Sequence, residues 1–118
     1  MEENHSDALL CLTFIKNFVA VGSKDHKISV YDLKKGEVIK LVGHASHICC
    51  LGTLKNKYLI SGGDINDNSI IIWDPKNWTI KHRLKSHQAA VTYLVDFNDG
   101  CHFASGSYDR RINIYSYV

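Results

Sequence analysis

Residues 61–74 read SGGDINDNSIIIWD, a turn of small residues, an Asp-bearing loop, then an apolar run that closes on Trp73 and Asp74. The same skeleton stands at 21–32 (VGSKDHKISVYD) and at 105–116 (SGSYDRRINIYS). In each copy an aromatic follows an Asp by six residues, pairing Asp25 with Tyr31, Asp67 with Trp73 and Asp109 with Tyr115, and successive aromatics are 42 residues apart. Self-similarity at a period of this length marks a repeat architecture and outranks any local secondary-structure reading.

Working outward, His5, His44 and His87 align at spacings of 39 and 43 residues, and each opens a similar passage. Two short apolar runs follow, parted by a polar turn at Lys16-Asn17, at Lys55-Asn56-Lys57 and at Asn98-Asp99-Gly100, the pattern of a hairpin. A third run, rich in β-branched and aromatic residues as strands prefer, lies at 28–31, 70–73 and 112–115. A fourth follows a further turn at 37–42 and 78–84, where Pro75 suits the turn because it fixes φ and offers no ladder donor. Each unit therefore reads as four short strands in an antiparallel meander, eleven strands in all, with the third unit reaching Val118 before a fourth run. No segment keeps a helical period, and 10% aromatic residues with eight glycines suit an all-β chain. Residues 1–118 form a single repeat region with units at about 5–43, 44–86 and 87–118.

The second unit holds Gly43-His44, Ser61-Gly62, Asp67 and Trp73-Asp74 in order; the third holds Ser86-His87, Ser105-Gly106, Asp109 and Tyr115-Ser116. The first holds Asn4-His5, Val21-Gly22, Asp25 and Tyr31-Asp32, and departs most because Val21 replaces the serine. Together these resemble the WD40 repeat, with Gly-His near the start and Trp-Asp near the end of a four-stranded unit of about 40 residues. The resemblance implies an all-β fold, a partial and open propeller of about three blades. It also implies a hydrogen-bonded chain of Trp73, Ser61, His44 and Asp67 in the middle blade, repeated as Tyr115, Ser105, His87 and Asp109 in the last. An indole only donates, Ser and neutral His do both, and an ionised Asp only accepts, so the four can satisfy one another in sequence. A network satisfied in this way favours a single buried arrangement.

The function implied is a non-catalytic protein–protein interaction scaffold, with other proteins as partners. In such proteins the loops into the first strand and between the second and third line the usual binding face. That analogy selects His26, Lys27, Ser46, His47, Asp64, Asn66, Gln88, Tyr108 and Arg110. The loop 63–66 is two residues longer than its counterparts and adds Ile65, expected to project from that face.

Ser, His and Asp together invite a hydrolase reading, in which His takes a proton from Ser and Asp orients His. No G-x-S-x-G elbow surrounds Ser61 or Ser105, and the set recurs with an aromatic attached, so no catalytic residue and no cofactor are assigned. His44 and His47 are spaced H-x-x-H, but a metal needs three or four converging ligands and His44 is committed elsewhere, so no metal site is assigned. Cys11, Cys49, Cys50 and Cys101 show no C-x-x-C spacing and read as small buried hydrophobes in a reducing compartment. An acidic N-terminus without a basic leader and the lack of a long apolar run point to an intracellular chain, cytoplasmic or nuclear, with no membrane span.

A net charge of +2 is too mild to imply nucleic acid. Residues 76–87 nevertheless carry Lys76, Lys81, Arg83 and Lys85 and no acid. Strand alternation places Lys81, Arg83 and Lys85 in one row and Ile80, His82 and Leu84 in the other. The favoured reading is a solvated edge guarded against stray pairing; the alternative function is a nucleic-acid-associated WD40 subunit using this basic rim. Propellers close with four to eight blades, so the expected state is a fragment or subunit of a larger propeller or complex, completed by another chain or by self-association, ahead of a free open arc. Its end blades are expected to leave apolar faces unpaired, and the first blade, with Val21 unable to relay a hydrogen bond, to be the least stable.

Overall fold

The computed structural model describes residues 8–85 and 87–116; His5 and Ser86 of the aligned motifs lie outside them. Among the described residues there are eleven strands and no helix. β1 (Leu9–Ile15), β2 (Phe18–Ser23), β3 (Lys27–Asp32) and β4 (Glu37–Val42) form one sheet in that order. β5 (Ile48–Leu54), β6 (Tyr58–Gly63), β7 (Ile70–Asp74) and β8 (Thr79–Leu84) form the second, and β9 (Val91–Asp96), β10 (His102–Ser107) and β11 (Ile112–Ser116) the third. All pairings are antiparallel between consecutive strands. The polar turns impose this, because Lys16, Lys55, Asn56 and Asn98 take the positive φ that tight reversals demand.

The three sheets repeat one another down to register. Val19 pairs with Tyr31, Leu59 with Trp73 and Phe103 with Tyr115. The first strand of every sheet is bulged, at Leu10, Cys49 and Thr92, a device that raises local twist and re-aims the chain.

β5 packs between β1 and β9, so the sheets fan out from their first strands with β4 and β8 outermost. Each joint has its own core. Ile15, Val30, Leu41, Leu59, Ile71 and Trp73 fill the first; Leu54, Ile70, Ile72, Val91 and Phe103 fill the second. Each such side chain removed from water contributes roughly 1.5–3 kcal/mol before entropy is counted.

The same contact ties both joints: the Cys11 thiol donates to the Ile48 carbonyl at 3.7 Å and the Cys50 thiol to the Val91 carbonyl at 3.2 Å. Only glycine fits opposite these thiols. A Cβ on Gly22 would come within 2.5 Å of Ile48 and 2.6 Å of Cys11, and one on Gly62 within 2.6 Å of Cys50. Burial pushes the Cys11 thiol up to about 12 and raises Cys49 and Cys50 too, so all three stay protonated. All four cysteines are free. Cys50 alone among them is buried, however, because the bulge turns Cys49 away from the joint and Cys101 lies in the exposed turn before β10.

Apolar side chains are exposed on the two flanking sheets. Leu10, Leu12 and Phe14 line one, and Tyr93, Val95, Phe97, Ile112 and Ile114 are exposed on the third sheet.

Candidate functional site

The middle sheet brings its four motif residues together. β6 supplies Ser61, β7 supplies Trp73, and the loops entering β5 and β7 supply His44 and Asp67. The Trp73 indole donates to Ser61 Oγ at 2.9 Å, and Ser61 Oγ lies 2.6 Å from His44 Nε2. His44 Nδ1 bonds Asp67 Oδ2. One proton assignment satisfies every group: Nδ1–H donates to the carboxylate, Nε2 accepts the Ser61 hydroxyl, and Ser61 accepts the indole. Asp67 also accepts the Ala45 amide at 3.2 Å and the Ser69 hydroxyl at 2.7 Å. Ser69 was not singled out from the sequence; its position two residues after an Asp, the spacing of a local side-chain bond, was the available signal.

Burial outweighs the Asp67 carboxylate and holds the His44 ring below its usual value of 6.5. The unfolded chain therefore binds a proton that the folded chain resists, and stability rises with pH wherever that difference operates. The contribution is complete above about pH 6.5 and is lost as pH falls below it. In denaturation series between pH 5 and 7.5 the unfolding midpoint should fall on acidification, and His44→Ala, at a cost of about 1–3 kcal/mol near neutrality, should flatten that slope. A slope unchanged by the substitution would rule out His44 as a source of the acid sensitivity.

In the third sheet His87 lies 2.9 Å from Asp109 Oδ2 and 2.7 Å from Ser105 Oγ, whose oxygen is 3.3 Å from the Tyr115 hydroxyl. Tyr115 stacks on Phe103 with centroids 4.7 Å apart. Asn113 reaches His87 Nε2 at 3.3 Å, a member absent from the middle sheet, where Ile71 holds the equivalent place. Desolvation pulls Asp109 upward, but the amides of Gln88 and Arg111 and the His87 ring overcome it and leave it at about 2. The first sheet differs. Asp25 accepts from the Ser23 hydroxyl and, at 3.0 Å, from the Lys27 amide, while Val21 is buried without a polar role; His5 lies outside the described residues.

Chemically, Ser61, His44 and Asp67 stand at the distances of a hydrolytic triad. Two facts oppose that use. The hydroxyl is wholly buried, and a Trp73 donor occupies its oxygen.

Above the networks, the loops entering each first strand and joining the second to the third share one end of the sheets. His26 and Tyr108 are exposed, as are Asn66, Gln88 and Arg110. Ile65 is 65% exposed on the longer β6–β7 loop. His47 and Asp64 approach at 3.5 Å, and the His26 and His47 rings stand 5.8 Å apart across the first joint. Lys27 is exposed beside them. Ser46 is the exception: it is buried, because the Ala45 amide is drawn onto Asp67 and the loop folds inward.

The outermost strand corrects the two-row expectation for the rim. Ile72 pairs with His82 but Trp73 pairs with Ile80, so Lys81 is the extra residue of a bulge and alternation breaks there. Lys81 then stands 5.2 Å over the Tyr58 ring while Arg83 donates to the Gly43 carbonyl at 2.8 Å. Of the rim cations, two are thus committed locally. At the tip of the β9–β10 hairpin the ligating atoms of Asp99, Cys101 and His102 gather within 4.8 Å. There Asp99 already accepts the Cys101 and His102 amides and the His102 ring, and these bonds, the ring foremost, hold it at about 2.

Three meandering four-stranded or near four-stranded sheets, fanned from their first strands and each stitched by a His–Ser/Asp network or its remnant, define a stretch of β-propeller. A family model described as "WD domain, G-beta repeat" matches residues 36–74 and 78–116, and the chain belongs to the WD40 family. Each matched segment starts before the outermost strand of one sheet and ends on the third strand of the next, so the sequence unit straddles two blades. A Xenopus laevis protein, p21-activated protein kinase-interacting protein 1-like, is 31% identical over 115 residues. That match covers 97% of this chain and 31% of the relative, so the chain spans about a third of its length. The structure of U3-55K superposes with a TM-score of 0.85 at 26% identity, and the crystal structure of RRP9 WD40 repeats with 0.82 at 27%. Each covers 98% of this chain and 39% of the solved one.

Proposed function

We propose that these blades serve as a non-catalytic scaffold that binds another protein through the loop end of the sheets, the polar networks beneath it holding the loops in place. The observation that carries this reading is the division of chemistry by depth. The serines that could react are sealed, Ser61 at 0% and Ser105 at 1% exposure, whereas the side chains above them offer an exposed Ile65, an exposed Tyr108 and paired histidines. Aromatic and apolar anchors of this kind carry most of the energy in protein interfaces. The relative from Xenopus laevis is by its name an interacting protein of a kinase, and a protein partner is what that likeness supports here.

The experiment is a capture assay with the purified chain and variants. Ile65→Asp and Tyr108→Ala should each weaken retention of the bound protein about tenfold or more, while Lys76→Glu at the opposite end leaves it unchanged. Equal retention by all three variants overturns the assignment of the face.

A further inference from the structure

The hairpin tips that join the first and second strands of the sheets are not alike. Two residues join β1 to β2 and three join β5 to β6, whereas five, residues 97–101, join β9 to β10. The longer tip, with His102 opening β10, carries a carboxylate, a thiol and an imidazole within four residues. The shorter tips, Lys16-Asn17 and Lys55-Asn56-Lys57, carry none of these. Asn98 and Gly100 supply the left-handed backbone of the longer turn, with φ of 61° and 77°, so making the turn requires neither the thiol nor the imidazole.

Local bonds fix the three groups without using them up. Asp99 Oδ1 accepts the Cys101 amide at 2.8 Å and the His102 amide at 2.9 Å, while Oδ2 lies 2.7 Å from His102 Nδ1. The Cys101 thiol takes no part in these bonds. The Phe97 amide donates to the His102 carbonyl at 3.1 Å and closes the base of the turn. There Asp96 adds a further carboxylate, which accepts the Lys55 amide at 2.8 Å and the Asn98 amide at 3.0 Å. The Asp99 and His102 side chains are 44% and 42% exposed, so a hydrated ion can reach them.

The ligating atoms of Asp99, Cys101 and His102 lie within 4.8 Å of one another, and no other such trio of His, Cys or acidic side chains occurs among the described residues. A tetrahedral zinc ion, with bonds of about 2.0–2.3 Å to oxygen, nitrogen and sulfur, holds its donor atoms about 3.4–3.6 Å apart. Adjustments of about 1 Å in the side chains therefore bring all three groups onto one ion.

We propose that the tip of the β9–β10 hairpin binds a zinc-class divalent transition-metal ion through Asp99 Oδ2, Cys101 Sγ and His102 Nδ1, with a fourth position left for water. The thiol releases its proton to solvent as the metal–sulfur bond forms, and the imidazole stays neutral with its proton on Nε2. The two amide bonds to Asp99 Oδ1 persist and orient the carboxylate. A mixed sulfur, nitrogen and oxygen set disfavours Mg2+ and Ca2+, which take oxygen ligands. The site lies at the end of β9 and β10 away from the loop face and stands or falls separately from the scaffold reading.

Titration of the tag-free, reduced 118-residue chain with Co2+ tests this. One equivalent should produce a near-ultraviolet thiolate-to-cobalt band and the intense visible bands of a tetrahedral site, and Zn2+ but not Mg2+ should abolish them. Cys101→Ser should remove the near-ultraviolet band, and His102→Ala and Asp99→Asn should each weaken binding about tenfold or more. Cys49→Ser should leave the titration unchanged. Asp99→Asn keeps an oxygen for the two amides, and a dispersed amide NMR spectrum serves as the fold check for every variant. No band at millimolar Co2+, a band that survives Cys101→Ser, or an affinity indifferent to either His102→Ala or Asp99→Asn overturns the proposal.

Discussion

Trp73→Ala is expected to lower the unfolding free energy by about 3–5 kcal/mol, the range for emptying a large buried aromatic. Three losses coincide. The ring is 2% exposed at the first joint and so leaves a cavity between two sheets. Its indole donor to Ser61 disappears. It also covers Gly43, whose missing Cβ would lie 2.8 Å from the ring and so marks a close approach made for it. Small domains have about 5–15 kcal/mol in total, so the variant should be largely unfolded at modest urea concentrations. Trp73→Phe keeps most of the volume and should give a smaller loss, resolving the packing from the hydrogen bond. A midpoint for Trp73→Ala within experimental error of the parent would show that the ring does not hold the joint.

Asp67→Ala is the second large effect, expected at about 2–4 kcal/mol because a buried donor left without its acceptor costs about 1–3 kcal/mol and the groups share some relief. The carboxylate, itself 3% exposed, takes three donors at once: the His44 ring, the Ala45 amide and the Ser69 hydroxyl. Asp67→Asn should rescue little, since its amide brings two further N–H donors into a place already crowded with donors. Ser69→Ala removes one donor together with its need and should cost about 1 kcal/mol or less. Chemical denaturation of the three variants checks the order. If Asp67→Asn proves as stable as the parent, the carboxylate is not the acceptor that closes the network.

Much of this was legible beforehand for a specific reason. The Asp-to-aromatic spacing of six residues, repeated at 42, encodes one hairpin-and-strand unit three times, and the register pairs Val19 with Tyr31, Leu59 with Trp73 and Phe103 with Tyr115 alike. Strand order and turn positions follow because each turn is local and each strand pairs with its neighbour in sequence. Ser46, Lys81 and Cys49 were misplaced because their surroundings come from elsewhere in the chain. Ser46 is buried as its neighbour's amide N–H donates a hydrogen bond to Asp67, 22 residues beyond Ala45, and bulges break the alternation at Lys81 and at Cys49.

The sequence by itself determined the repeat, the meander, and the sets of His, Ser, Asp and aromatic residues that meet within the second and third sheets. Each of these depends on period and on pairing between adjacent strands, quantities that linear spacing carries. The tertiary structure alone decided that Gly22 and Gly62 are compelled by Cys11 and Cys50 on the paired strand and by Ile48 and Val91 across the joints, and that Ser69 and Asn113 join the networks. It also decided that Trp78 packs edge-on against Phe18 across the first joint. The contacts of the glycines with Ile48 and Val91 and that of Trp78 lie between sheets, where two surfaces distant in sequence meet at a distance and angle that neither strand specifies alone, whereas Ser69 and Asn113 are drawn in by side-chain geometry within one sheet.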